Sequence, residues 1–238
     1  MKKPAYKDII VLDNGRQVYV YDEKAINKRT VKKNSKISII KSDLNEIIDR
    51  VIRDIQIGIE PAAVVGLILC TYERVGNDAS AANGHYGASN LEKNHVKKSK
   101  NGLILDYIAK SGVHQRKEVS DPLIVSEIER RIARKKPNDR IFSCTPKQVN
   151  DYLSQFNITS KDIRTFAANK FMSDALRSAP KYDKQYDRRK VFAQKLKEVA
   201  EVIGHKPQTL NSMYLTPALK KNYVESGKIK RFVRRNNG

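Results

Sequence analysis

The segment PAAVVGLILCTY, Pro61 to Tyr72, is apolar almost all round. With proline in its first turn it reads as a helix, and a helix without a polar face has to be enclosed by other elements. Most of the chain must therefore wrap around it. Just upstream, Asp43 to Ile57 places Leu44, Ile47, Ile48, Val51, Ile52 and Ile55 at helical spacing, with Ser42 available as N-cap. Ile26 to Lys36, INKRTVKKNSK, reads as a basic connector. Before it, residues 8–21, DIIVLDNGRQVYVY, read as two strands joined by an Asp13-Asn14-Gly15 turn.

The period then changes. Gly102 to Ile108 and Val113 to Val119 read as strands flanking a turn at Lys110-Ser111-Gly112, and Asp121 to Lys135 returns to helix. From Thr145 the pattern is helical: PKQVNDYLSQF, then KDIRTFAANKFMSDALRS behind a Thr159/Ser160 cap, then VFAQKLKEVAEVIG. The expected fold is α+β: a mostly α-helical domain with an internal β-hairpin or small antiparallel sheet, preceded by a short β-containing N-terminal segment. A basic tail, KIKRFVRRNNG, closes the chain at 228–238.

Lys and Arg number 47 against 26 Asp and Glu, a formal charge of +21. So large an excess is self-repulsive unless a polyanion relieves it, which makes nucleic acid the first partner to consider. Cys70 and Cys144 stand in no CxxC or Cys/His cluster, so the expectation is a reduced, intracellular protein without structural zinc. No stretch is long and apolar enough to span a bilayer, so no membrane partner is expected.

No acidic pair stands at metal-ligand spacing and no glycine-rich phosphate loop is present, which leaves arginine, lysine, histidine and tyrosine as reactive groups. A phosphodiester transfer needs an oxygen nucleophile, cationic donors on the non-bridging oxygens and a proton donor for the leaving oxygen. Arg74 follows the apolar helix, Lys110 sits at the hairpin tip, Arg164 lies among helix formers, and His205 and Tyr214 end the EVIGHKPQTLNSMY stretch. Singly, each has a structural reading: a helix-end dipole partner, a solvated tip, a carbonyl cap, a half-buried aromatic.

Together they resemble the type IB DNA topoisomerases, especially the compact poxvirus and bacterial-type enzymes, over about Glu60 to Pro217. The matching runs are Arg74-Val75-Gly76-Asn77, His85-Tyr86-Gly87-Ala88, Glu92-Lys93-Asn94-His95-Val96, Tyr107-Ile108-Ala109-Lys110, Lys161-Asp162-Ile163-Arg164-Thr165, and Val199 to Tyr214 with tyrosine nine residues after His205. The resemblance implies that Tyr214 attacks a DNA phosphodiester to give a 3′-phosphotyrosyl link. It implies that Arg74, Arg164 and His205 hold the non-bridging oxygens, and that Lys110 protonates the 5′-oxygen, with Lys117 as the fallback because Ala109 replaces a commoner glycine. No metal, nucleotide or other cofactor is implied, and the partner is double-stranded DNA, bound by a monomer. Lys161, Arg16, Tyr19, Tyr21, Lys93, Lys97 and Lys98 are the expected DNA contacts, with further backbone contacts in Lys28 to Lys36. Residues 1–37 would be a short remnant of a β-rich DNA-clamp lobe and 38–227 the catalytic domain. The alternative is a tyrosine recombinase, whose typical H-x-L-R-H box differs from the KDIRT seen here. A third reading is a DNA-binding module that kept the scaffold without the chemistry.

Overall fold

The computed structural model describes residues 7–15 and 17–229. Strands β1 (Asp8–Val11) and β2 (Gln17–Val20) pair antiparallel, as the turn signal predicts. The basic stretch that follows is not a connector. It is the first third of α1 (Glu23–Gln56), a helix of 34 residues whose N-cap is Asp22, its carboxylate accepting the Lys24 N–H at 2.9 Å. No glycine or proline stands between Gly15 and Gly58, so nothing interrupts the helix once it is capped. Ile37 and Ile40 extend the buried stripe of Ile47, Val51 and Ile55 backwards at steps of three and four. Ser42 is therefore interior rather than an N-cap, and its hydroxyl donates to the Ile39 carbonyl at 3.0 Å.

Helix α2 (Glu60–Thr71) is buried from Ala62 to Ile68, as its composition requires. It stops at Tyr72, which adopts a left-handed conformation with φ 56°. A short α3 (Asp78–Ala81) follows. The middle of the chain forms a three-stranded antiparallel sheet in the order β3 (Val96–Ser99), β4 (Gly102–Ala109), β5 (Val113–Val119), so the expected hairpin gains an edge strand. Leu103, Leu105, Tyr107 and Ala109 point inward from β4, opposite Val119, Lys117, Gln115 and Val113 of β5.

Helices α4 (Pro122–Ile132), α5 (Pro146–Ser154), α6 (Ser160–Arg177) and α7 (Gln185–Ile203) complete the body. Asp121 and Thr145 cap α4 and α5 by accepting backbone N–H groups. The chain ends in α8 (Pro207–Thr209), a π-helical turn (Leu210–Tyr214) and α9 (Pro217–Ser226). One buried cluster joins α1, α2, the sheet, α4 and α5; a second joins α7, the π turn and α9. Helix α6 serves both, with Phe166 in the first and Ala167 in the second. Arg164 thus stands near the seam of the two cores.

Candidate active site

Four chain segments converge at that seam. Tyr72 ends α2, and the next residues turn Arg74 toward the cleft; its loop is held by the Ala88 and Ser89 N–H groups, which donate to the Arg74 and Val75 carbonyls, each at 2.8 Å. This lacing explains the glycines of the motif, because a Cβ on Gly87 would lie 2.6 Å from the Arg74 carbonyl oxygen and 2.7 Å from the Gly76 Cα. His205 follows Gly204, which takes φ +76° at the end of α7, a conformation that favours glycine; a Cβ there would also meet the Gln115 amide oxygen at 2.1 Å and force that side chain to shift. The His205 N–H returns to the Ala200 carbonyl at 2.7 Å.

Both arginines reach the same imidazole. Arg74 Nη2 lies 3.0 Å from His205 Nδ1, and Arg164 Nη2 lies 2.9 Å from His205 Nε2. Arg164 also donates to the Tyr72 and Ile203 carbonyls, the latter at 3.2 Å, while its buried Nε has no partner among the described residues. The Tyr214 ring lies against His205 with centroids 4.3 Å apart and with the Arg164 guanidinium carbon 6.0 Å from its centre. Tyr214 is buried, 6% exposed. Arg74, Arg164 and Tyr214 line a cleft of about 360 Å³ with Lys110, Lys161, Tyr86 and Asn77, and His205 is held between the two arginines. Lys110 is at the tip of the β4–β5 turn, where Ser111 takes φ 70°.

Burial, then Arg164, Arg74 and Lys117, hold the His205 pKa down at about 3, so the imidazole is neutral at pH 7. A neutral ring accepts at one nitrogen and carries hydrogen on the other. One guanidinium therefore faces an N–H with no acceptor between them, and an anion in the cleft would relieve that opposition. Burial also lowers the Arg164 pKa, opposed by the Tyr214 phenol and the Glu73 carboxylate. Glu73, beside Arg74, is 2% exposed and accepts from the Tyr107 hydroxyl, while its Oε1 has no partner among the described residues. Burial raises the Glu73 pKa against Tyr107, Lys117, Arg164 and Arg74.

The neutral histidine has a measurable consequence. Its folded pKa is depressed from 6.5 to about 3, so between those values the unfolded chain takes up a proton that the folded one refuses. Stability from this group is full above pH 6.5 and is lost as pH falls through the window. Unfolding measured from pH 8 to 4 should show a dependence of up to about 1.4 kcal/mol per pH unit below pH 6.5. His205→Gln should remove that component; an unchanged slope would show that folding does not depress the His205 pKa.

Not every residue of the expected interface reaches the cleft. Lys161 lines it. Tyr19 is exposed on β2, and Tyr21 carries the Arg29 guanidinium at 3.9 Å from its ring centre. Arg16 and residues 230–238 of the tail lie outside the described residues. Lys93 donates to the Lys135 carbonyl at 2.7 Å, and Lys98 lies with it in a separate groove against Glu129 and Pro137. Lys97 is paired with Asp106 at 2.7 Å. Lys117 points inward from β5 and donates to the Val202 carbonyl, whereas Lys110, like Lys161, lines the cleft.

Two contributors went unread in the sequence. Glu73 is indistinguishable there from a solvated helix-end charge. Asn169 is buried one turn beyond Arg164 and grips the tyrosine segment with both ends of its amide: Nδ2 donates to the Tyr214 carbonyl at 3.0 Å, and Oδ1 accepts the Thr216 N–H at 2.9 Å. The signal for it was a polar residue in the otherwise apolar run FAAN.

No helix among the described residues is long and apolar enough to cross a membrane. Among curated proteins no match is found. The family described as eukaryotic DNA topoisomerase I, catalytic core, matches residues 22–235, beginning at the N-cap of α1 and leaving the β1–β2 hairpin outside. With almost the whole chain matched, and with two arginines and a tyrosine gathered around one histidine, the chain belongs to the DNA topoisomerase I family, and DNA is the substrate that this membership implies.

Proposed function

We propose that the protein relaxes supercoiled duplex DNA as a monomer, without metal or nucleotide, by transient cleavage of one strand through Tyr214. The observation that carries this reading is the convergence of Arg74 and Arg164 on His205 from opposite sides, with the Tyr214 ring against the same imidazole. The Tyr214 phenol gives up its proton to solvent, its oxygen attacks the phosphorus, the bond to the 5′-oxygen breaks, and a 3′-phosphotyrosyl ester forms. The two guanidiniums stabilise the charge that builds on the non-bridging oxygens, and the His205 N–H donates a further hydrogen bond there. Lys110 gives its proton to the departing 5′-oxygen. One phosphodiester replaces another, so the reverse attack reseals the strand without ATP.

The compact, poxvirus-like and bacterial-like branch of the family is the reading favoured by the Arg74-Val75-Gly76 run and the nine-residue interval from His205 to Tyr214. The β1–β2 hairpin and the basic start of α1 would take part in the clamp on DNA. Incubation with supercoiled plasmid in chelator and without nucleotide tests the function directly. Relaxation, with a covalent protein–DNA adduct trapped by denaturant, is expected; binding without either would leave only a DNA-binding module, and exchange between paired sites would indicate a recombinase.

The role of Lys110 has its own test. Lys110→Ala should slow strand cleavage by about 10²–10⁴-fold, the usual contribution of a general acid. A substrate with sulfur in place of the 5′-bridging oxygen leaves as a thiolate and needs no proton. It should recover most of the loss; an equal defect on both substrates would move the acid elsewhere.

A further inference from the structure

The backbone that carries the nucleophile is held mainly by side chains. The Leu215 N–H closes the π turn on the Leu210 carbonyl at 3.1 Å, and Asn169 of α6 takes the Tyr214 carbonyl and the Thr216 N–H. The remaining polar group, the Leu215 carbonyl, accepts from Lys33 Nζ at 3.0 Å, across 182 residues of sequence. Leu215 itself is 3% exposed, and a carbonyl in such a place needs a donor.

Lys24, Lys28, Arg29 and Lys32 on the basic third of α1 are exposed, whereas Lys33 and Lys36 are half-buried; Lys36 donates to the Asn157 carbonyl, and Lys33 is the one that reaches the tyrosine segment. Burial lowers its pKa and the positive charge of Lys161 adds to the effect. Lys161 lines the reaction cleft. An ammonium held among protein atoms beside a second lysine is costly by itself, and DNA phosphate arriving at Lys161 offsets that repulsion.

We propose that Lys33 is a positioning residue for Tyr214: through the Leu215 carbonyl it fixes the nucleophile's backbone and ties the N-terminal helix to strand cleavage rather than to DNA affinity. The inference rests on the reading of Tyr214 as nucleophile. DNA occupancy at Lys161 strengthens the hold, so the tyrosine segment is tightest when substrate is present. The basic third of α1 then has two jobs, with its exposed cations facing phosphate and Lys33 turned inward.

The experiment compares Lys33→Met and Lys33→Arg with Lys28→Met as an exposed-cation control. Covalent adduct formation is timed at saturating duplex. Non-covalent affinity is measured against salt in a Tyr214→Phe background. Lys33→Met should form adduct about tenfold more slowly at saturation, the scale of a misplaced reacting group, with its salt dependence unchanged and the rate largely restored by Lys33→Arg. Lys28→Met should lower the salt slope by about 0.9, as loss of one phosphate contact does. If Lys33→Met behaves as the Lys28 variant does, or loses thermal stability with no change in saturated rate, the inference is overturned. Hydrogen exchange on the DNA-free protein gives a readout that needs no catalysis: the Leu215 and Thr216 amides should exchange faster in Lys33→Met while the α6 amides do not. If the unmodified protein forms no adduct, the reading of Tyr214 fails; unchanged exchange at those two amides sinks the Lys33 hold itself.

Discussion

Tyr214→Phe is expected to abolish relaxation and adduct formation, by more than about 10⁴-fold as for loss of a nucleophile, and to leave DNA binding in place. The phenyl ring can keep its contact with His205, and the backbone bonds from Asn169 and Lys33 do not involve the hydroxyl. Affinity should rest on phosphate contacts and fall steeply with salt, with the same slope in both proteins. Plasmid relaxation and a denaturing-gel assay for adduct measure the loss. A phenylalanine variant that still relaxed DNA would remove Tyr214 from the mechanism.

Arg164→Ala should be nearly as damaging to the rate and worse for the fold. Its guanidinium supplies donors to the Tyr72 carbonyl, the Ile203 carbonyl and His205, all from a position 3% exposed. Removing it withdraws a buried cation from the reacting phosphate, for which a loss of about 10³-fold in cleavage is expected. It also leaves two carbonyls without their donor, a penalty of about 2–4 kcal/mol in unfolding free energy. The two effects separate in Arg164→Lys. An ammonium keeps the charge and one bond but cannot span three partners in a fixed plane. Stability should recover in part while cleavage stays well below that of the unmodified protein. If Arg164→Lys cleaves normally, charge alone is what the site needs and the planar geometry is incidental.

The legible part of the fold was the part set by neighbours in sequence. The buried length of α2, the two strands flanking the Lys110-Ser111-Gly112 turn and the Thr159 cap of α6 follow from spacing and side-chain chemistry over a few residues. The first third of α1 was misread because its lysines carry no apolar stripe of their own. What makes it helical is the Asp22 cap, the lack of any breaker before Gly58 and propagation from the packed half beyond Ile37. A free lysine and a paired one look alike in sequence, so the partners of Lys93 and Lys97 were not legible there: the Lys135 carbonyl and the Asp106 carboxylate lie 42 and 9 residues away.

The same division runs through the site. Sequence alone determined the order of Arg74, Lys110, Arg164, His205 and Tyr214, the glycines that let Arg74 and His205 take their turns, and an excess of positive charge fitted to a polyanion. These are properties of residue type and local backbone freedom. Only the tertiary structure decided that both arginines meet on one neutral imidazole, that Glu73 lies buried behind them, and that Lys33 reaches the carbonyl after Tyr214. Each of those depends on packing that joins segments 34 to 182 residues apart, and burial, which sets the charge state of His205 and the need for a donor at Leu215, does not exist until that packing has formed.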